Sequence, residues 1–170
     1  MLCTQVAKAY HLTLQRYHMG KFISTKTYTS ERGFAVAYRQ HKADSHCNLL
    51  HGYALGVHLE FECDDQDRDA RGWVVDFGSL KSFKNFLDDI LDHTCLVALD
   101  DPEFETFEML HKKNLIKMVA VERTGCEGLS KFLAEYLQDW LKENGYAPRV
   151  KLHKVEVRET PSNSAMWIAS

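Results

Sequence analysis

Three short stretches of this 170-residue sequence carry side chains that could do acid–base or metal chemistry. The first is His46-Cys47-Asn48-Leu49-Leu50-His51, in which a thiol and an imidazole lie four residues apart before a predicted strand. A thiolate becomes a strong nucleophile or base when cationic or basic groups lie beside it. The same pattern also fits a surface loop with a buried structural cysteine, so the residues alone leave both interpretations open.

The other two stretches are Asp92-His93 and Glu159-Thr160. A carboxylate beside an imidazole can fix the imidazole's tautomer and raise its basicity, although most such neighbours are simply solvated. Glu159 lies at the end of the last predicted strand. If buried, its carboxylate could hold two ring N–H donors of a heterocycle, whereas an exposed glutamate would be an ordinary edge charge.

The elements that must position these residues follow from hydrophobic periodicity. Apolar and polar side chains alternate from about residue 50 to 63, which predicts the clearest strand. Threonine-rich alternation from residue 21 to Tyr38 predicts a strand arm, in which Gly33 marks a bulge or turn. Further strands are predicted at 73–77, 117–121 and 152–157, amphipathic helices at 79–91 and 127–144, and an irregular or partly helical segment at 100–114. Strands clustered at the start of the chain favour an α+β fold with a mainly antiparallel sheet.

Composition narrows the function classes. A net charge of −3 gives no electrostatic reason to expect nucleic acid or an anionic membrane as partner. No apolar run is long enough to span a membrane, and the start of the sequence lacks the apolar stretch of a secretory signal. The five cysteines are irregularly spaced without a C-x-x-C pair, which argues against a disulfide framework or a thiolate zinc finger. We therefore expect a cytoplasmic protein with free thiols.

Together, these stretches resemble the 6-pyruvoyl-tetrahydropterin synthase and 6-carboxytetrahydropterin synthase family. The resemblance covers roughly residues 21–168, so residues 1–20 are interpreted as an N-terminal extension and residues 21–170 as a single synthase domain. The matching segments are, in order, Phe34–Tyr38, Cys47–Tyr53, Gly72–Lys81, Leu91–His93, Cys126–Leu129 and Val157–Thr160.

The resemblance implies a tunnelling fold, in which a four-stranded antiparallel sheet carries two helices on one face. Family subunits join side by side into a barrel, usually as a homohexamer of two stacked trimers, and their active sites lie between subunits. Long edge strands need such neighbours to cover them.

The resemblance also implies roles for individual residues. Cys47 would be the general base or proton shuttle, with Asp92 and His93 as its relay. The pterin ring would be anchored by Glu159, and the remaining substrate-binding residues would be Glu127 and Thr160.

The metal ligands depart from the family pattern. Family enzymes hold a catalytic zinc with three histidines, and the matching positions here are Tyr38, His51 and Tyr53. Since a catalytic zinc normally needs three protein ligands, two interpretations stay open. Either zinc is held by a rearranged set in which His41 or His46 joins His51, or no zinc is bound at the usual place.

The implied function is that of a pterin-forming lyase acting on 7,8-dihydroneopterin triphosphate. Its product would be 6-carboxy-tetrahydropterin, on the path to 7-deazaguanine and queuosine, or 6-pyruvoyl-tetrahydropterin. Two alternatives remain open from the sequence. One is a non-catalytic pterin- or purine-binding module that kept the pocket and lost the metal, and the other is a related tunnelling-fold reaction on a purine or pterin.

Overall fold

The computed structural model describes residues 20–28 and 33–170. Apart from Gly20, the predicted N-terminal extension lies outside these residues. The strands are β1 Lys21–Tyr28, β2 Phe34–Tyr38, β3 His51–Asp64, β4 Thr94–Ala98, β5 Met118–Val121, β6 Lys151–Thr160 and β7 Asn163–Ile168. The helices are α1 Lys81–Leu91, α2 Phe104–Lys112 and α3 Gly125–Glu143.

Strand β3 is the centre of the sheet. Its 14 residues pair antiparallel with both β1 and β2 along one edge and with β6 along the other. The predicted alternation is confirmed, because Leu55, Val57, Leu59 and Phe61 are fully buried. This one strand therefore brings residues from both ends of the chain together.

Gly33 lies at the break between β1 and β2. Its φ is +62°, and a Cβ atom there would lie 2.7 Å from the backbone carbonyl of Ala54. Glycine accepts this left-handed conformation and this close approach, as no other residue would. Of the strand arm predicted for residues 21–38, the described parts are the strands β1 and β2, and both pair with β3.

The predicted α+β class is confirmed, but the predicted count of four strands and two helices is wrong. The path β5-β4-β2-β3-β6-β7 includes parallel pairs between β2 and β4 and between β4 and β5. All five residues of β4 are buried, so it lacks the alternation that reveals a strand in the sequence. The expected strand at 73–77 is a series of bends, in which the Arg149 guanidinium donates to the carbonyl oxygens of Trp73 and Val74.

The two predicted amphipathic helices are confirmed and share one core with the sheet. Helix α1 buries Phe83, Leu87 and Leu91, and α3 buries a longer apolar stripe. Helix α2, from the segment predicted as irregular or partly helical, packs Phe107 in a separate small cluster with Cys95 and Val97 of β4. Because these two residues alternate with Leu96, which lies in the main core, α2 covers the opposite face of β4.

Candidate active site

The candidate site lies where β2, β3 and β6 meet. Tyr38 ends β2 and pairs in register with His51, the first residue of β3. Tyr53 lies two residues further along β3, so it shares the face of His51. The rings of Tyr38 and Tyr53 stack with their centroids 4.3 Å apart, and Tyr38 is fully buried. Strand β6 adds Glu159 to the same cluster.

Each of the two phenols forms a hydrogen bond inside this cluster. The Tyr38 hydroxyl donates to the carboxylate of Glu159. The Tyr53 hydroxyl lies 2.5 Å from His51 Nε2, and His51 Nδ1 lies 2.6 Å from the carbonyl oxygen of Leu49. Because a carbonyl oxygen can only accept, His51 Nδ1 carries a proton. Both ring nitrogens of His51 therefore have hydrogen-bond partners inside the protein.

The electrostatics of the cluster keep its phenols and its buried thiol protonated. Burial raises the pKa of Tyr38 far above its ordinary value, and the adjacent Glu159 carboxylate raises it further. Burial likewise raises the pKa of Tyr53 to about 12, with contributions from Glu159 and Cys47. The Cys126 thiol, beside Glu159, has its pKa raised to about 12 by burial and by that carboxylate. Near neutral pH these three groups are donors rather than anions.

Cys47 lies in a short 3₁₀ turn, His46–Asn48, within the loop between β2 and β3. Its carbonyl oxygen accepts from the backbone N–H of Gln40 at 2.8 Å. Its side chain is half-buried, whereas the other described cysteines, Cys63, Cys95 and Cys126, are buried. Among the described residues, Cys47 is therefore the thiol that a reagent or substrate reaches most easily.

An ion pair that sequence reasoning missed braces the loop of Cys47. The Arg39 guanidinium donates two hydrogen bonds to the buried carboxylate of Asp101, at 2.9 and 2.6 Å. It also reaches the carbonyl oxygen of Asn48 at 3.5 Å. The hydrogen bonds from Arg39 hold the pKa of Asp101 below its ordinary range. No local pattern links two residues that lie 62 positions apart, so the sequence carries no signal for this pair.

The start of α3 is tied to the same loop. Thr124 Oγ1 donates to the Arg39 carbonyl oxygen at 2.8 Å, and Gln40 Nε2 donates to the Thr124 carbonyl oxygen at 3.3 Å. Gly125 has a φ of +90°, and a Cβ atom there would lie 1.9 Å from Gln40 Nε2. The helix therefore begins at Gly125, two residues before the predicted start at Glu127. Glu127 itself is exposed, and it lines a groove on the outer face of α3.

The predicted Asp92–His93 pair is formed, but on another part of the subunit. His93 Nδ1 lies 3.1 Å from Asp92 Oδ2, and the backbone N–H of His93 donates to the Ala35 carbonyl oxygen at 2.7 Å. Burial opposes ionisation of Asp92, but hydrogen bonds from His93 and the Ala35 N–H outweigh it and lower the pKa of Asp92. Within the described part of one subunit, no hydrogen bond or ion pair joins this pair to Cys47.

Asp92 and His93 line an open cavity of about 990 Å³ beside α1. Its wall also carries the ammonium groups of Lys26, Lys81 and Lys84. The exposed Thr160 lies elsewhere, at the turn between β6 and β7, where its Oγ1 accepts from the backbone N–H groups of Ser162 and Asn163. The structure thus separates the predicted residues of one chain into the cluster near Cys47 and the cavity near His93.

The donor set at the family's zinc position does not fit zinc. Tyr38 and Tyr53 are phenols with raised pKa values, and their hydroxyls are already hydrogen-bonded, Tyr38 to Glu159 and Tyr53 to His51 Nε2. The two other candidate ligands point elsewhere: His41 lies 3.6 Å from Asp100 and 3.8 Å from Asp101, and His46 is exposed. In residues 20–28 and 33–170, no group of three histidine, cysteine or carboxylate side chains is arranged to hold a metal ion.

The fold is that of a tunnelling-fold pterin synthase subunit. The model of the 6-pyruvoyl tetrahydropterin synthase family matches residues 27–168, and the chain belongs to that family. The resemblance seen in the sequence is thereby confirmed, as is the prediction of a pterin-forming lyase at the level of the family.

One curated relative is the 6-carboxy-5,6,7,8-tetrahydropterin synthase of Aquifex aeolicus (strain VF5). It is 27% identical over 154 residues, which cover 89% of this chain and 93% of the relative. The match therefore spans nearly the whole of both proteins.

Two solved structures share the fold. An uncharacterized protein, WS1659 from Wolinella succinogenes, has a TM-score of 0.75 at 23% identity, covering 89% of this chain and 99% of its own. The 6-pyruvoyl tetrahydropterin synthase of Caenorhabditis elegans has a TM-score of 0.58 at 19% identity, covering 91% and 99%. At these identities the similarity establishes the fold and not the substrate. Among the described residues, no helix is long and apolar enough to cross a membrane.

Proposed function

We propose that this chain converts 7,8-dihydroneopterin triphosphate and water into 6-carboxy-tetrahydropterin, with triphosphate and the two outer side-chain carbons leaving, the latter as acetaldehyde. The name of the Aquifex relative favours this product over 6-pyruvoyl-tetrahydropterin. The observation that carries the proposal is that one end of β2 holds both residues: the Tyr38 hydroxyl donates to Glu159, and two residues later the backbone N–H of Gln40 donates to the Cys47 carbonyl oxygen at 2.8 Å. A candidate proton acceptor and a candidate ring anchor therefore lie near each other, as a pterin-processing site requires.

In this proposal the carboxylate of Glu159 accepts hydrogen bonds from ring N–H groups of the pterin, which charge-assisted geometry favours. Its orientation is already set by the hydrogen bond from Tyr38. Cys47, as the general base, then takes a proton from the carbon side chain of the substrate, and its half-buried loop position gives a substrate access.

The Asp92–His93 relay completes the proposed site from a neighbouring subunit, since within one subunit it makes no contact with Cys47. We propose a homohexamer, as the resemblance implies. Exposed apolar side chains support subunit contacts at the free strands, with Phe22 and Ile23 on β1 and Met166 and Ile168 on β7 each 45–58% exposed. Light scattering should give about six times the chain mass of 19.6 kDa, and a stable monomer would contradict this assembly.

The activity test is direct incubation with 7,8-dihydroneopterin triphosphate, followed by chromatographic identification of the pterin product and of released triphosphate. Replacing Cys47 with Ala should lower turnover about 100-fold or more, the usual scale for losing a positioned acid–base group. Cys63→Ala is the matched control, because Cys63 is buried at the far end of β3. Full activity of Cys47→Ala would contradict the assigned role.

A second candidate function is a pterin- or purine-binding module without turnover. It is favoured by the departure at the zinc position, where Tyr38 and Tyr53 replace the two missing histidines. Tight pterin binding without product formation, with or without added zinc, would select this alternative. In either case the proposed setting is the reducing cytoplasm, which the four free cysteines among the described residues support.

A further inference from the structure

We propose that the hydrogen-bonded cluster of His51, Tyr53, Tyr38 and Glu159 replaces the family's zinc centre and that this position works without a metal ion. The proposal concerns metal binding alone, so it stands or falls independently of the proposed turnover.

The first argument is the tautomer of His51. A histidine binds zinc through an unprotonated ring nitrogen, and its other nitrogen usually donates to a carbonyl or carboxylate. Here Nδ1 donates to the Leu49 carbonyl oxygen at 2.6 Å, which leaves Nε2 as the only atom that could bind a metal. The Tyr53 hydroxyl already occupies Nε2 at 2.5 Å. The imidazole is thus oriented as a metal ligand would be, but a phenol hydroxyl lies where the metal ion would have to bind.

The second argument is the state of the two phenols. To bind zinc, a tyrosine must give up its proton, whose ordinary pKa is near 10. The Tyr38 proton is held in a hydrogen bond to Glu159, and Tyr38 is fully buried. A metal at this position would have to displace both phenol protons and break both hydrogen bonds for a ligand set that contains one histidine.

The third argument is the coupling of the two replacements. Tyr38 and Tyr53 stack with centroids 4.3 Å apart and an interplanar angle of 18°, so each ring packs against the other. Each hydroxyl is then hydrogen-bonded to a different partner, Glu159 or His51, so both phenols and the second ring nitrogen of His51 are already engaged within the protein. The tyrosines at the two ligand positions therefore form one hydrogen-bonded unit with His51 and Glu159.

The experiment restores the missing imidazoles. Wild-type protein without a histidine tag, Tyr38→His, Tyr53→His and the double variant are each loaded with zinc, separated from free metal and analysed by elemental mass spectrometry. We expect almost no zinc in the wild type and about one zinc per chain in the double variant, the stoichiometry of a three-histidine site. Loading with Co²⁺ should give visible d–d absorption bands in the double variant only. His51→Ala in the double background should abolish both signals.

A matched control, Tyr38→Phe with Tyr53→Phe, keeps the stacked rings without adding ligands, and it should bind no zinc. Stoichiometric zinc in the wild type that His51→Ala removes would overturn the proposal. A folded double variant that binds no metal would also overturn it, because these three positions would then not form the metal cage. If circular dichroism shows that the double variant is unfolded, the comparison of wild type with His51→Ala decides by the same measurement. Absence of pterin turnover would leave these outcomes unchanged and would count only against the proposed function.

Discussion

The hydroxyl of Tyr38 donates a hydrogen bond to the carboxylate of Glu159, which lies 121 residues further along the chain. This bond links the end of β2 to β6 across the central strand. Tyr38 is fully buried, so the orientation of the carboxylate is set by the protein before any ligand arrives. The lone pairs of Glu159 that Tyr38 does not use therefore have fixed directions in which they can accept hydrogen bonds from a ligand.

Removing the Tyr38–Glu159 hydrogen bond should lower the free energy of unfolding more than removing the Tyr53–His51 hydrogen bond. Tyr38→Phe should lower the free energy of unfolding by about 1.5–3 kcal/mol, the range for a hydrogen bond to a charged group. Tyr53→Phe is the matched variant, and it should cost about 0.5–1.5 kcal/mol because its partner is the imidazole of His51 and not a carboxylate. Urea unfolding of both variants measures the difference. Equal costs would show that the Tyr38–Glu159 bond carries no special weight.

Binding of a pterin should depend on Glu159. Replacing this carboxylate with Gln should weaken binding of 7,8-dihydroneopterin by about 2–4 kcal/mol, as for other truncated charge pairs. Isothermal titration calorimetry measures this loss. Glu143→Gln is the control, because Glu143 is exposed at the end of α3, and it should bind like the wild type. Normal pterin binding by Glu159→Gln would show that the pterin ring binds at another position.

The glycine that begins α3 should be much less replaceable than the glycine after its end. Gly145 has a φ of +71°, and no atom lies within 4 Å of the position of an added Cβ. Gly145→Ala should therefore cost only the strain of a left-handed alanine, about 1–2 kcal/mol. In Gly125→Ala the new Cβ would lie 1.9 Å from Gln40 Nε2, so the Gln40 side chain must move and its hydrogen bond to the Thr124 carbonyl oxygen is lost in addition. Because the backbone N–H of the same residue donates to the Cys47 carbonyl oxygen, we expect alkylation of Cys47 to become faster as well. An unchanged alkylation rate in Gly125→Ala would disprove the link between α3 and the loop.

Stability should fall between pH 10 and pH 12. Burial raises the pKa of Tyr28 to about 12, and its hydroxyl donates to the Leu80 carbonyl oxygen at 3.3 Å. Above the ordinary phenol value the unfolded chain loses a proton that the folded chain keeps, so folding becomes less favourable by up to about 1.4 kcal/mol per pH unit for each such phenol. Urea unfolding at pH 8 and pH 11 should show Tyr28→Phe losing less stability than the wild type. Identical losses would contradict the assignment.

The sequence predicted the elements whose pattern is local. The alternation of Leu55, Val57, Leu59 and Phe61 predicted β3, and the spacing of Phe83, Leu87 and Leu91 predicted α1, because each pattern records one buried face. Strand β4 was missed because both of its faces are covered, which removes the alternation. The strand expected at 73–77 failed because Arg149 holds the carbonyl oxygens of that segment in place of a partner strand.

The candidate site was predictable in its residue types and not in its contacts. The resemblance to the synthase family indicated Cys47, His51 and Glu159 as candidate residues and tyrosines at two ligand positions, and these roles stay predictions. Two contacts of the site depend on pairing across the sheet, which no local pattern encodes. They are the hydrogen bond from Tyr38 to Glu159 and the ion pair of Arg39 with Asp101 beside the Cys47 loop. The proposed use of Asp92–His93 by a neighbouring subunit likewise cannot be predicted from residue spacing within one chain.

The position of β3 also determines when its two edges can pair as the chain is synthesised and folds. Its first edge is covered by β1 and β2, which leave the ribosome before it, whereas its second edge is covered by β6, whose pairing residues begin about ninety positions later. Such distant pairing is slow to form, and an open apolar strand edge invites wrong partners in the meantime. A nascent chain that stalls before residue 151 therefore exposes one side of its longest strand, and the last twenty residues act as the closing step of folding rather than as a dispensable tail.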